Sequence, residues 1–223
     1  NVELFAQARP LMQDIAAALI EGEHETVDQL SKQALDENIE ALEIMDDGLI
    51  CAMAIVGIKF RENFIFVPEV LACARAMKAG MVHIEPILSA SGIQPLAKVI
   101  MGTVKGDLHD IGKNLCIMLL RGAGFEVIDL GINTDAETYI TALEKEQPDI
   151  LGMSALLTTT MPYMKVVIDT LKESGIRDDY IVLVGGAPLN EEFGTAVGAD
   201  AYCRDAATAV EVAKELIAER RAS

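Results

Sequence analysis

The spacing of apolar residues changes near residue 92 of the chain. From Val2 to about Ser91 apolar positions recur every three or four residues, as in amphipathic helices, with almost no strand signal. This pattern predicts helices joined by short links, which favours a small four-helix bundle. The predicted helices cover Pro10 to about Gly22, His24–Leu35, Ile39–Phe60 and a segment that starts at Pro68 and runs through Ile84.

A different pattern follows the segment Ser89–Pro95, whose polar, Gly- and Pro-containing sequence predicts a linker. Apolar, β-branched runs now alternate with helical patterns, which is typical of a doubly wound parallel sheet, and five strands favour the flavodoxin-like version. The predicted strands are Lys98–Val104, Glu126–Gly131, Asp149–Leu157, Tyr180–Gly185 and Ala199–Cys203. The predicted helices are Gly112–Ala123, Asp135–Glu146, Met161–Ser174, a short one near Asn190–Val197, and Asp205–Arg221. The sequence therefore predicts an α/β protein with a helical domain over 1–91 and a sheet domain over 92–223.

Right-handed crossovers place the loops that follow parallel strands on one rim of the sheet, so we expect the loops after Val104, Leu157 and Gly185 to converge. The first loop carries His109, one of three histidines in the chain, with Asp107 two positions before it. This grouping suits a metal-ligating imidazole, because one ring nitrogen can face a metal while the other donates its proton to a carboxylate. A histidine satisfied within its own loop is the alternative.

The other two converging loops have structural interpretations from their residues alone, and the third allows an alternative. In the second loop, small hydroxyl residues from Ser154 onward favour hydrogen bonds at the strand end and a helix N-cap at Thr159 or Thr160. In the third loop, Gly185 and Gly186 are typical of a tight turn. They would equally let a planar group pass close to the backbone.

Composition and net charge limit the kinds of partner that we expect the chain to bind and the compartment in which we expect to find it. With 223 residues, 51% of them apolar, the chain can bury a sizeable core, and its net charge of −17 argues against a nucleic-acid partner. No apolar run has the length of a membrane span, and no signal segment opens the chain, so we expect a cytoplasmic protein. The scattered cysteines Cys51, Cys73, Cys116 and Cys203 form no Cys-x-x-Cys and are expected to be buried free thiols. The first residue is Asn rather than Met, which leaves open that leading residues are missing or that the chain is a fragment.

The first loop also carries a family resemblance. Its sequence Asp107-Leu108-His109-Asp110-Ile111-Gly112 resembles the Asp-x-His-x-x-Gly signature of cobalamin-binding domains, and Gly102–Gly106 resembles the same segment in methionine synthase and in corrinoid proteins of methanogens and acetogens. In the helical half, Gly57–Phe60, Phe66–Leu71 and Ala76–Met81 resemble the helical cap that covers the methyl face of the corrin. The resemblance covers nearly the whole chain.

The resemblance implies a role for each converging loop. In this family the nucleotide arm of the cofactor leaves cobalt and enters the sheet domain, so His109 would be the axial ligand to cobalt, with Asp107 as its hydrogen-bond partner. Thr160 would complete a hydrogen-bonded relay in which methionine synthase has a serine, and Ser154 would offer its hydroxyl to the nucleotide base. The implied cofactor-binding residues are Asp107, His109, Asp110, Ile111, Gly112, Ser154, Leu156, Thr158, Thr160, Gly185 and Gly186, with Phe66, Val70 and Leu71 as an apolar lid.

The resemblance further implies a function in one-carbon metabolism. The chain would bind cobalamin or a related corrinoid, with the nucleotide base off cobalt and the histidine on it, in the methylated form during turnover. It would carry the methyl group from a substrate-specific methyltransferase to an acceptor methyltransferase and would not turn over alone. A reductive activase is a further expected partner. The sequence of Ser154–Met161 most resembles the same segment in corrinoid carriers that serve simple methyl donors.

Other functions share parts of this pattern. A cobalamin-binding fragment of methionine synthase is one alternative, although Thr160 differs from its serine. A cobalamin-dependent sensor or regulator is another, although this chain lacks the basic charge and the cap tryptophan of such proteins. A radical mutase subunit shares the loop motif but usually lacks this type of cap. Without the resemblance, a flavodoxin-like sheet would default to a phosphate- or flavin-binding module.

Overall fold

The computed structural model describes residues 8–92 and 94–222. It divides into two compact units, one running through Gln94 and including Gly122–Gly124, the other formed by Pro95–Arg121 and the chain from Phe125 onward. The predicted class is confirmed, since a helical part precedes a five-stranded parallel sheet. Within the described residues, no helix is both long and apolar enough to cross a lipid bilayer.

The helical unit follows the predicted helices closely, with one irregularity. Its elements are α1 (Pro10–Ile20), α2 (His24–Asp36), α3 (Ala41–Glu43), a π-helical segment (Ile44–Ile50), α4 (Cys51–Arg61) and α5 (Val67–Ala90). The third predicted helix, Ile39–Phe60, therefore contains a wider π-helical stretch. There Gly48 packs closely on α1, because a Cβ at this position would lie 3.2 Å from Ile15 Cγ2. Pro86 lies inside α5, which continues to Ala90.

The sheet unit has the strand order β2-β1-β3-β4-β5, with every pair parallel. This is the flavodoxin-like order that the sequence predicts. Its strands are β1 (Lys98–Thr103), β2 (Glu126–Asp129), β3 (Ile150–Ser154), β4 (Ile181–Gly185) and β5 (Ala201–Cys203). Its helices are α6 (Ile111–Gly122), α7 (Ala136–Glu146), α8 (Tyr163–Glu173), α9 (Glu191–Val197) and α10 (Ala206–Ala222), with a 3-10 turn at Arg177–Asp179.

The order of the strands creates a crevice. The connections from β1 and β3 leave in opposite directions, so their following loops border a switch point, where ligands bind in open α/β sheets. Side chains of the strands alternate between the two faces of the sheet. Ile100, Leu151 and Val182 belong to the apolar core that includes residues of α7 and α8. Thr103 and Ser154, which are paired in the β1–β3 register, lie on the opposite face.

Strand β3 ends earlier than predicted. The sequence predicts a strand to Leu157, but β3 ends at Ser154. The backbone N–H groups of Leu156 and Leu157 leave the ladder because both donate to the Asp107 carboxylate, at 2.8 and 3.2 Å. A side chain from the loop after β1 thus decides where β3 stops.

Candidate functional site

The loop after β1 turns sharply and gives the side chains of Asp107 and His109 different exposure to solvent. Gly106 has a positive φ of +83°, and its N–H donates to Asn133 Oδ1 at 2.8 Å. The N–H of Asn133 in turn donates to the backbone carbonyl of Asp107 at 3.0 Å. This turn directs Asp107 inward, where its side chain is 0% exposed, and His109 outward, where its side chain is 49% exposed.

The buried Asp107 carboxylate is the centre of the site. Its Oδ1 accepts from the backbone N–H of His109 at 3.0 Å and lies 2.7 Å from His109 Nδ1. Its Oδ2 accepts from Thr160 Oγ1 at 2.6 Å and from the backbone N–H groups of Leu156 and Leu157. Removal from water raises the pKa of this carboxyl, but the hydrogen bonds outweigh that effect and hold the pKa well below its ordinary value. Asp107 is therefore an ionised acceptor.

The ionised carboxylate sets the tautomer of His109. Because Asp107 Oδ1 is an acceptor, the proton of a neutral imidazole lies on Nδ1, and Nε2 carries the lone pair. Nε2 is then free to bind a metal, and the carboxylate fixes the orientation of the ring. Within the part of the chain that the structure describes, no group of three or more His, Cys, Asp or Glu side chains can hold a metal ion. A single imidazole nitrogen suits a metal whose other ligands a macrocyclic cofactor provides.

Large apolar side chains are exposed on the loops that meet at Asp107. Leu108 and Ile111 flank His109 and are among the most exposed apolar residues described, at 66% and 74%. Ile132, Leu156 and Leu157 are also exposed. The backbone N–H groups of Leu156 and Leu157 donate to the Asp107 carboxylate, and Ile132 precedes Asn133, whose N–H donates to the Asp107 carbonyl. An apolar patch beside a polar centre is typical of a binding surface. This patch suits a broad ligand with an apolar face.

Two hydroxyl groups link the first and second loops behind His109. Thr103 is fully buried, and its Oγ1 donates to the backbone carbonyl of His109 at 3.0 Å. The same atom lies 2.9 Å from Ser154 Oγ.

Thr160 donates to Asp107, so it does not cap α8, whose N-cap residue is Pro162 without a side-chain cap. The helix-cap prediction for Thr159 or Thr160 is therefore wrong, because the hydroxyl is used on the carboxylate.

The glycines of the site differ in what surrounds them. A Cβ at Gly186, where φ is +140°, would lie 1.8 Å from the Ala155 carbonyl oxygen, so close backbone packing requires glycine there. A Cβ at Gly185 would lie 3.0 Å from the Cys203 carbonyl oxygen. Gly112, near the start of α6, has nothing within 4 Å of a built Cβ. The space beside Gly112 is thus available to a ligand, whereas the space beside Gly186 is filled by backbone.

The remaining candidate residues differ in how exposed they are. Asp110 is half-buried and accepts from Asn114 Nδ2 at 3.0 Å, which ties it to the first turn of α6. Thr158 is exposed on the second loop. In the helical unit Phe66 and Leu71 are exposed, but Val70 is fully buried in the core. Burial gives Val70 a packing role in this conformation, and a lid would have to rest on its exposed neighbours.

Sequence reasoning missed several polar contacts. Thr103 and Asn133 both hold the first loop, yet neither stands out in the sequence. Lys113 is buried at the start of α6, and its Nζ lies 2.6 Å from Asp129 Oδ1. His83 Nε2 lies 2.8 Å from Asp28 Oδ1 of α2. None of the four cysteines forms a disulfide, and the expected burial holds for Cys73 and Cys203 but not for Cys51 and Cys116, which are partly exposed.

Comparison with known proteins decides the family. A family model described as a B12 binding domain matches residues 97–214, and a second model of the same description matches residues 11–85. The dimethylamine corrinoid protein of Methanosarcina barkeri is 40% identical over 210 residues, which cover 93% of this chain and 98% of that protein. The chain belongs to the B12-binding corrinoid protein family. The resemblance of the Asp107–Gly112 loop is thereby confirmed.

Further relatives of this corrinoid protein agree. A corrinoid protein of Desulfitobacterium hafniense (strain Y51) is 38% identical over 210 residues, covering 93% of this chain and 97% of that protein. Among solved structures, the methanol:cobalamin methyltransferase complex MtaBC from M. barkeri matches with a TM-score of 0.86 and 34% identity, over 97% of this chain and 83% of that chain. A cobalamin-binding protein from D. hafniense DCB-2 matches with a TM-score of 0.76 and 28% identity, over 92% of this chain and 97% of that chain. Because the matched relatives are corrinoid proteins along nearly their whole length, the methionine synthase alternative is not favoured.

The residues of the corrinoid protein fit the cofactor of its family. An exposed imidazole, oriented by a buried carboxylate, suits a cobalt ion whose other ligands a corrin ring would provide. The exposed apolar side chains beside it suit the face of that ring, and the open side of Gly112 leaves room for it.

Proposed function

We propose that this corrinoid protein binds cobalamin or a related corrinoid and carries a methyl group between two methyltransferases. One observation carries the proposal, namely that an exposed imidazole in a B12-binding domain is held by a fully buried carboxylate. The relatives support the methyl-transfer role, because those named above include a dimethylamine corrinoid protein and a methanol:cobalamin methyltransferase complex.

The protein tunes chemistry that the cofactor provides. A bound corrinoid supplies a cobalt ion that accepts a methyl group from one partner and gives it to another. His109 would hold the cobalt through Nε2, and Asp107 keeps the proton on Nδ1. Hydrogen bonds from Thr160 and from the backbone N–H groups of Leu156 and His109 lower the pKa of the Asp107 carboxyl and keep it ionised.

The nucleotide arm of the cofactor is assigned to the switch point between β1 and β3. His109 would take the place of the nucleotide base on cobalt, and Ser154 would offer that base a partly exposed hydroxyl. The remaining residues of this proposed channel are Gly112, Leu156, Thr158, Gly185 and Gly186. The exposed side chains of Phe66 and Leu71 stay candidates for an apolar lid.

The partners are assigned by class. One methyltransferase loads the methyl group and another removes it, while a reductive activase restores the cofactor after oxidation. Because the relatives serve methylamines and methanol, we place the donor among simple methyl compounds. A cytoplasmic location remains the expectation from the sequence.

Anaerobic reconstitution tests the proposal. The protein and the His109→Ala variant are incubated with cobalamin, separated from free cofactor by gel filtration, and examined by absorption spectroscopy. Both should retain corrinoid, because the apolar face and the nucleotide site remain, but only the unsubstituted protein should show a histidine-bound spectrum. His24→Ala, which removes an exposed histidine of α2, is the control and should match the unsubstituted protein. Failure of the unsubstituted protein to take up any corrinoid would contradict the proposal.

A further inference from the structure

Thr103 occupies a position between the candidate cobalt ligand and the candidate nucleotide site. Its Oγ1 lies 3.0 Å from the backbone carbonyl of His109 and 2.9 Å from Ser154 Oγ, and the side chain is fully buried. A hydroxyl has one proton to donate and two lone pairs to accept with. Since a carbonyl only accepts, the proton of Thr103 is used on His109. Ser154 must therefore be the donor between the two hydroxyl groups.

The proton count changes when a nucleotide base reaches Ser154. An aromatic ring nitrogen that has left cobalt carries a lone pair and needs a donor, which Ser154 supplies. Three hydrogen bonds then each need a proton, but the two hydroxyl groups supply only two. These bonds are the one to the base nitrogen, the one to the His109 carbonyl and the one between Thr103 Oγ1 and Ser154 Oγ. If Thr103 kept its bond to His109, its oxygen and Ser154 Oγ would face each other 2.9 Å apart with no proton between them. Burying such a pair of oxygens is unfavourable.

We propose that Thr103 couples the nucleotide site at Ser154 to the backbone of His109. Seating the base turns the Ser154 proton toward the base and the Thr103 proton toward Ser154. The His109 carbonyl thereby loses its hydrogen bond to β1, and the loop that carries the imidazole is released to approach the metal. Thr103 is a positioning residue, because it acts through Ser154 and His109 and touches no reacting atom. The inference rests on the proposed function, since it requires a corrinoid whose nucleotide lies at Ser154.

Two corrinoids that differ only in the nucleotide separate this coupling from a structural role of Thr103. Cobalamin carries the base, whereas cobinamide lacks the nucleotide and cannot engage Ser154. The unsubstituted protein, Thr103→Val and Thr103→Ser are loaded with each corrinoid, and cyanide is titrated in to displace the lower ligand, with the midpoint followed by absorption. The ratio of the two midpoints measures how strongly the nucleotide affects histidine ligation. Loss of one hydrogen bond corresponds to a change of about threefold to tenfold in this ratio.

The variants have distinct expected results. Thr103→Val, which keeps the side-chain shape but removes the hydroxyl, should change the ratio by about threefold to tenfold relative to the unsubstituted protein, whereas Thr103→Ser should keep it. Ser154→Ala should change the ratio in the same way, and the double variant should add nothing further. If Thr103→Val folds poorly, Thr103→Ala, which also removes the hydroxyl, is compared with Thr103→Ser in its place.

Two outcomes would overturn the coupling, and they are distinguishable. An unchanged ratio in Thr103→Val and Ser154→Ala, with histidine still bound to cobalt, removes the coupling but leaves the proposed function intact. Absence of histidine ligation in the unsubstituted protein removes both. A purely structural role would shift both midpoints of Thr103→Val equally and leave their ratio unchanged.

Discussion

Asp107→Ala should lower the free energy of unfolding by about 3 kcal/mol or more, because each buried donor left without its acceptor costs about 1–3 kcal/mol. The variant deletes an ionised acceptor that receives hydrogen bonds from Thr160, Leu156, Leu157 and His109. Those donors then lie buried or half-buried without their acceptor, which is more costly than the loss of the bonds alone. Urea unfolding followed by circular dichroism measures the change. Asp178→Ala, which removes an exposed carboxylate, is the matched control and should change stability little.

Asp107→Ala should also loosen the imidazole. Without the carboxylate nothing fixes the proton on Nδ1 or the orientation of the His109 ring, and loss of such a partner typically weakens metal ligation about 10- to 100-fold. Cyanide titration of the corrinoid-loaded variant measures this effect separately from stability. If Asp107→Ala matched Asp178→Ala in urea and the unsubstituted protein in cyanide, the buried carboxylate would have neither role.

Gly186→Ala should be the most disruptive conservative change at the site. The added Cβ would lie 1.8 Å from the Ala155 carbonyl oxygen, and φ is +140°, which L side chains rarely adopt. Backbone strain and steric overlap together correspond to roughly 3 kcal/mol or more. The loops after β3 and β4 must separate, so corrinoid uptake should fall together with the unfolding midpoint.

A second glycine isolates the steric part of that effect. Gly175 has a φ of +73° but nothing within 4 Å of a built Cβ. Gly175→Ala should therefore carry only the backbone strain, of about 1–2 kcal/mol, and leave corrinoid uptake unchanged. Equal losses for Gly186→Ala and Gly175→Ala would show that the close approach of the two loops is not what requires glycine at 186.

The sequence predicts the order of elements well because local patterns determine it. Apolar β-branched runs separated by helical spacing are sufficient to predict the flavodoxin-like sheet. The end of β3 is different, because two of its expected N–H groups bond to Asp107, a residue of another loop. The π-helical turns of Ile44–Ile50 are also missed, since their apolar residues keep a helical spacing.

The candidate site divides in the same way. His109 and Asp107 are predictable because a two-residue separation within one motif brings them together. Thr103 is not, because its contact with Ser154 depends on the β1–β3 register and on which face of the sheet each side chain takes. In the helical unit, spacing alone does not separate buried Val70 from exposed Leu71 beside it, since the direction of the bundle core decides which of them faces inward.

The most direct test of the central claim is electron paramagnetic resonance of the cobalt(II) corrinoid bound to protein labelled with ¹⁵N-histidine. An axial nitrogen splits the cobalt lines according to its nuclear spin, into triplets for ¹⁴N and doublets for ¹⁵N. The labelled protein should give doublets, and the labelled His109→Ala variant should lose them. Triplets in the labelled protein would show that the base of the nucleotide still occupies cobalt, which would contradict the assignment of His109.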